Sequence, residues 1–250
     1  LQDSKRQLNR QIAALIDLTS SKSLSLGNWQ LAVQEITKVA AQTLEVERAS
    51  IWLYDAERTK IICSDLFELT SNHHTHGMEL LAADYPNYFQ AIEADQIVAA
   101  HNALSDDRTS EFGDSYLRPL NIQAMLDAPI RLGGRTVGTV CMERIGEDHH
   151  WTLEEQGFVR SLADLVTLAI EAKQRTQAEN ALRQSKEALR LIVEGTASAT
   201  GDAFFRACVR YLAQVLQVKY AIVTQFTDDC KTHARALALW TGEDWDTDFC

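Results

Sequence analysis

What this sequence lacks narrows its class before any motif does. No apolar run approaches the ~20 residues that a membrane helix needs, and the start shows no charged-then-apolar signal pattern. Membrane contact by this segment is therefore not expected, and a cytoplasmic location is. Basic residues are scarce: 24 Lys and Arg stand against 35 Asp and Glu, a formal net charge of -11. Phosphate binding needs clustered Lys and Arg, so no nucleic-acid partner is expected either. Five cysteines, widely spaced and odd in number, give neither a metal-ligand motif nor a disulfide framework. Phosphate-cradling glycine loops and Ser/His/Asp elbows are absent too.

Proline is missing where it matters most. Residues 152–194 contain none, and their only glycine, Gly157, falls within the first two turns of what reads as one long helix. Thr152 with Glu155 fits a capping box, in which each side chain satisfies a free backbone N–H. Gly195 is expected to close the run in the left-handed conformation. Such a helix would measure roughly 60 Å at 1.5 Å per residue. Its first half carries a broad apolar face, Phe158, Leu162, Leu165, Val166, Leu168, Ala169 and Ala172, wide enough to lie on a sheet. Over 173–194 the face narrows to Ala178, Leu182, Ser185, Leu189 and Ile192, the spacing of a coiled coil. This half is expected to leave the domain and meet a partner helix. Leu1, Leu8, Ile12, Leu15 and Leu18 form a similar stripe within residues 1–20, a second linker helix.

Between these helices the pattern changes period. After a turn-rich break at 20–27, residues 28–44 read as a helix burying Trp29, Val33, Ile36, Val39 and Ala40. Residues 49–54 read as a strand, 55–59 as a turn and 60–68 as its hairpin partner. The stretch 69–120 is the least regular. It holds a histidine-rich loop (His73, His74, His76), a short helix around 88–94, a brief strand at 97–100, and a helix at about 110–120 carrying Phe112, Tyr116 and Leu117. A strand at 124–132, a tight turn at Gly133-Gly134 and a return strand at 135–145 follow. Strands at both ends with irregular helices between them predict an α+β fold on an antiparallel sheet.

An internal repeat sets the domain count. Residues 41–49 (AQTLEVERA) align with 213–221 (AQVLQVKYA), an offset of 213 − 41 = 172, with Ala41, Gln42, Leu44, Val46 and Ala49 recurring. Each copy sits at a helix end followed by a strand. Residues 195–250 are thus expected to be a truncated second domain, its first helix and hairpin, with an unpaired strand edge. A chain that starts at Leu1 rather than Met and ends in a polar tail is expected to be a piece of a longer protein.

Met125-Leu-Asp-Ala-Pro-Ile130, the hairpin Gly133-Gly-Arg-Thr-Val-Gly138, Val140-Cys-Met-Glu143, Trp151-Thr-Leu-Glu-Glu155 and the helix 158–172 occur in a telling order. Together they resemble the GAF domain, a sensory module of bacterial signalling proteins. The resemblance covers about 28–172. It implies a six-stranded antiparallel sheet flanked by helices, a ligand cavity roofed by 69–120, and a homodimer through the flanking helices. Bilin-binding relatives carry Cys, commonly followed by His, on the helix before the Asp-x-Pro-Ile-like strand. Residues 110–120 have neither, which argues against a covalent bilin. Cyclic-nucleotide-binding relatives carry an Asn-Lys…Phe…Asp-Glu signature; Glu143-Arg144 and 151–155 depart from it, which argues against that ligand.

No catalytic residue or metal site is expected. His73, His74 and His76 sit among Ser, Asn, Thr and Gly like a solvated loop, and His149-His150 like a surface turn. Adjacent carboxylates, Asp106-Asp107 and Glu154-Glu155, do not face each other as an acid and base must. Cys141 reads as an inert buried thiol. The candidate site is a small-molecule pocket of Phe112, Tyr116, Met125, Asp127, Cys141 and Glu143, apolar walls with a few polar groups, whose ligand and cofactor identity stay open. The expected role is a sensory and dimerisation segment that signals through a helical linker to an output domain. The resemblance implies a histidine kinase as that output, or alternatively a diguanylate cyclase or phosphodiesterase. The rival is a ligand-free dimerisation scaffold; nothing supports a freestanding enzyme.

Overall fold

The computed structural model describes residues 2–94, 97–196 and 200–242. Two compact units divide the chain, Leu1–Thr176 and Gln177–Cys250. In the first, helices α1 (Gln2–Thr19), α2 (Lys22–Ser25) and α3 (Trp29–Leu44) lead into strands β1 (Arg48–Tyr54) and β2 (Lys60–Glu68). Short pieces follow: β3 (His73–Thr75), β4 (Glu79–Leu81), α4 (Pro86–Glu93), β5 (Val98–Ala100), a 3-10 turn Ser110–Phe112 and a π turn Gly113–Leu117. Strands β6 (Ile122–Leu132) and β7 (Arg135–Ile145) then precede the helix α5 (Leu153–Thr196).

The sheet is antiparallel, in the order β3-β2-β1-β7-β6-β5, with β4 also paired to β2. The expected α+β class is what forms. Leu132 pairs with Arg135 around Gly133 and Gly134, whose φ angles of 58° and 81° supply the two-residue turn. At the other hairpin the Asp55 carboxylate accepts from the Thr59 amide at 2.8 Å and its hydroxyl at 2.9 Å, while Arg58 takes φ 57°.

Alternation along the strands sorts side chains onto two faces. Ala49, Ile51, Leu126, Ala128, Val140 and Met142 join α3 and α5 in one core. Trp52, Cys63, Met125 and Cys141 join α4 and the 3-10 turn in another. A bulge adjusts β2: Ile51 pairs with Asp65 but Trp52 with Cys63, leaving Ser64 unpaired. Beyond it Phe67 lies in the α3–α5 core, and Thr37 of α3 donates to Asp65 at 2.5 Å.

Both main helices are capped as their sequences require. Asn28 accepts from the Leu31 amide at 3.3 Å; Val33, Ile36 and Ala40 are fully buried, and Trp29 and Val39 half-buried. The Thr152 amide donates to Glu155 at 2.8 Å and the Glu155 amide to Thr152 at 3.2 Å, both arms of the capping box. Phe158, Leu162, Leu165, Val166, Ala169 and Ala172 are buried on the sheet. Leu168 is not: two residues past Val166 it has turned some 200° off that face, and it is 54% exposed. The helix also passes through Gly195 to Thr196, so Gly195 does not end it; a helix absorbs one glycine for about 1 kcal/mol.

Three further expectations are revised. Residues 20–27 contain the single turn α2, and Gly27 (φ 69°) sits so close to α5 that a Cβ would meet the Ala172 carbonyl oxygen at 2.8 Å. His73 and His74 are not loop residues but pair with Glu68 and Phe67 at the end of β2. The stretch 110–120 is not an α-helix. It winds as a 3-10 turn and then a π turn, the Arg118 amide reaching Gly113 at 2.9 Å, before Pro119, which has no N–H to donate.

The second unit holds α6 (Asp202–Leu216), β8 (Ala221–Phe226) and β9 (Ala234–Trp240) beside the end of α5; residues 243–250 of the polar tail lie outside the described residues. Local devices of the first unit recur here. Glu45 after α3 and Gln217 after α6 are both left-handed caps (φ 55° and 51°), and the Val46 and Val218 amides reach back to Ala41 and Ala213. In the second hairpin Val223 pairs with Ala238 and Thr224 with Ala236, a bulge at the position equivalent to that after Ile51. Asp228 caps Thr232 as Asp55 caps Thr59, with Lys231 at φ 54°.

Candidate functional site

The sheet face away from α3 and α5 carries the candidate residues. In β6 and β7, Met125 pairs with Glu143 and Asp127 with Cys141, so alternation sends all four side chains to this side. The roof is α4, the 3-10 turn and the π turn. Glu111 ties these together by accepting from the Asn87 amide at 3.0 Å at the start of α4. Their aromatic rings pack on one another: Tyr85 stacks on Phe112 at 4.2 Å, and Tyr88 meets it edge-on at 4.8 Å.

Phe112, Tyr116, Met125, Cys141 and Glu143 line one cavity together with Trp52, Ile61, Leu80 and Tyr88. Sequence reasoning named the first five; the other four come from elements whose orientation only the sheet register fixes. The cavity is closed, about 10 Å³, room for about one water. Asp127 is fully buried beside the Tyr88 hydroxyl and the Cys141 thiol, and neither carboxylate oxygen has a hydrogen-bond partner among the described residues. Burial pushes its carboxyl up to about 7, the Tyr88 hydroxyl and Cys141 thiol offsetting part of the rise. Tyr88 Oη lies 3.7 Å from Cys141 Sγ. Burial also holds the Cys141 thiol far above its ordinary range, which keeps it protonated and unreactive.

Glu143 is answered differently. Arg48, which the sequence did not single out, gives Nε to Glu143 at 2.7 Å, Nη1 to Glu68 at 3.0 Å and Nη2 to Tyr116 at 3.2 Å. The Tyr116 hydroxyl donates to Glu143 at 2.8 Å. Burial raises the Glu143 carboxyl, and the Arg48 charge and Tyr116 hydroxyl oppose the rise. The guanidinium is thus spent within the wall.

The remaining polar clusters have structural partners. Asp106 holds Arg108, which also donates to the Ile97 and Ala99 carbonyls at the outer edge of β5. Glu155 serves the helix cap and His149, and His74 leans on Asp65 at 2.9 Å. Among the described residues no group of three or more His, Cys, Asp or Glu is arranged to hold a metal, and no helix is long and apolar enough to cross a membrane.

Of the linker stripes, Leu8, Ile12, Ala178, Leu182 and Leu189 are exposed, while Leu15 packs partly against the core of its own domain. Leu1 and the side chain of Ile192 lie outside the described residues. A groove of about 500 Å³ runs between Thr19 and Leu24 on one side and Leu165, Leu168, Glu171 and Arg175 on the other.

The GAF domain family model matches residues 28–170. No curated protein matches the chain. Among solved structures, the GAF domain of an Acinetobacter phosphoenolpyruvate-protein phosphotransferase is similar with a TM-score of 0.52 at 16% identity, over 67% of this chain and 94% of that one. The photosensory core module of a Stigmatella aurantiaca phytochrome gives 0.61 at 13% identity, over 90% of this chain and 48% of its own. A bacteriophytochrome from the photosynthetic bacterium R. palustris gives 0.63 at 10% identity, over 94% and 49%.

Proposed function

Because the chain belongs to the GAF domain family, a family of sensory signalling modules, we propose that it is the sensory and dimerisation segment of a cytoplasmic bacterial signal-transduction protein. A small ligand in the pocket under α4, or a change in dimer packing, shifts α5 and so biases an output domain, a histidine kinase in the first instance. A diguanylate cyclase or phosphodiesterase is the alternative output. Residues 195–250 form the first helix and hairpin of a second GAF-like domain, a reading supported by the cap, bulge and turn shared with the first.

One observation carries the proposal. A single uninterrupted helix bears both the buried face that grips the sheet and the exposed Leu182–Leu189 stripe. A ligand acts through it only by binding two arrangements of that helix with different affinity. Leu8 and Ile12 on α1 add apolar surface of the same kind, and two such stripes suit a homodimer. Leu182→Asp with Leu189→Asp is expected to shift sedimentation towards monomer while the first unit stays folded; an unchanged dimer, or a wild type already monomeric, defeats this reading.

The closed cavity favours a second reading, a ligand-free scaffold that dimerises and spaces domains. Native mass spectrometry of protein from its own host separates the two. A bound small molecule supports the sensor, and none supports the scaffold.

A further inference from the structure

Two buried carboxylates stand on the pocket side of the sheet, and they are not equivalent. Glu143 lines the cavity, whereas Asp127 does not and lies behind Tyr88 of the roof and Cys141. Glu143 has Arg48 and Tyr116. Asp127 has neither oxygen hydrogen-bonded, although it is fully buried. A buried acceptor without a donor is costly, and native structures rarely keep one without a purpose. Beside it lie only the weak donors Tyr88 hydroxyl and Cys141 thiol, and the nearby cations are committed elsewhere. The Arg48 guanidinium is committed to Glu143, Glu68 and Tyr116. Arg108, the cation whose charge reaches Asp127, is held by Asp106 and by the carbonyls of Ile97 and Ala99.

The consequence concerns the charge of the occupant. Above about pH 7 Asp127 is ionised. An anion entering here would then bring a third negative charge beside Asp127 and Glu143, with Arg48 and Arg108 already committed. Burial strengthens every such repulsion. A group offering N–H would supply the missing donor through a charge-assisted bond. Tyr88, Phe112, Trp52 and Met125 provide flat apolar flanks for a ring. Entry requires the roof to lift, since the closed cavity holds about one water. That roof includes consecutive 3-10 and π turns, poorer in hydrogen-bond geometry than an α-helix.

We infer that this pocket selects a neutral or cationic ligand presenting N–H donors to Asp127 and rejects carboxylates and phosphates. The inference rests on the pocket reading above. Benzamidine and benzoate, alike in shape and opposite in charge, test it on the full chain at pH 8, where Asp127 is ionised, by titration in amide ¹H–¹⁵N spectra. Benzamidine is expected to shift Tyr88, Asp127 and Cys141 saturably, and Asp127→Asn to weaken it at least tenfold while preserving spectral dispersion. Asp127→Ser is the second variant should Asp127→Asn not fold. Benzoate binding as tightly at these residues, or benzamidine binding indifferent to the variant, overturns the charge selection and leaves the pocket standing. Shifts from neither probe overturn both.

Discussion

Arg48 and Glu143 face each other across the β1–β7 pair, Nε to Oε2 at 2.7 Å, and both are almost fully buried. The next pairing outward gives the same guanidinium Glu68, so one cation bridges carboxylates on β2 and β7 from the strand between them. Removing Arg48 leaves Glu143 buried with only a tyrosine hydroxyl. Arg48→Ala is expected to cost about 3–5 kcal/mol in urea denaturation, whereas Glu143→Gln, which buries no charge, costs less.

Asp127 gives a prediction with a definite sign in pH. Its carboxyl titrates near 7 in the folded protein against about 3.9 in the unfolded chain. The folded state therefore holds the proton more tightly. The stabilisation is complete below pH 4 and is lost as pH rises through 7. Asp127→Asn removes that loss. Relative to wild type, its melting temperature is expected to be higher at pH 8 and to converge with it as pH falls to 4. A difference that grows on acidification contradicts the assignment.

Two glycines should respond in opposite directions. A Cβ on Gly138 would lie 2.0 Å from the Trp52 carbonyl oxygen and 3.0 Å from Leu53 Cα, so Gly138→Ala forces β1 and β7 apart. Overpacking of this kind costs about 1–3 kcal/mol. Gly157, in the first turns of α5, has nothing within 4 Å of an added Cβ. Gly157→Ala is expected to stabilise by about 0.5–1 kcal/mol. Thermal melts of both variants check the pair.

Leu162 and Leu168 look alike in the sequence and differ in place. Leu162 is wholly buried, and Leu162→Ala is expected to cost about 2–5 kcal/mol. Leu168→Ala, at a solvent-facing position, is expected to stay within about 0.5 kcal/mol. Chemical denaturation at low protein concentration isolates folding from association.

What could be read in advance was what neighbours in sequence decide. The Thr152–Glu155 box, the Asn28 start of α3 and the Gly133-Gly134 turn each depend on residues within four positions. All three formed as their residues required. The pocket was legible to the extent that alternation reveals it: Met125, Cys141 and Glu143 share a face whichever strands they meet. Arg48 stayed hidden because its role arises from partners 95 and 20 residues away, joined only by strand register. His74 looked solvated for the same reason, although it is half-buried against Asp65; its neighbour His73 is exposed as expected. In the 110–120 stretch local propensity favoured an ordinary helix, but Gly113 and Pro119 flank a wider winding that places Tyr116 over Glu143.

Ser64, the unpaired residue in β2, has an influence out of proportion to its size. It resets the parity of everything after it, sending Phe67 to one side of the sheet and Leu66 to the other. Delete it, and Cys63 and Asp65 become neighbours on a regularly alternating strand, so both keep their partners on β1. Delete a paired residue such as Leu66 instead, and the strand must either slide by one position or exchange the two surfaces beyond the gap. Phe67 would then take the place of Leu66 and crowd the cavity. A change in chain length that the bulge absorbs at Ser64 becomes, two residues further on, an exchange of inside for outside. Random one-residue deletions across β2 should accordingly be lost from a pool selected for folding, with Ser64 the best tolerated of them.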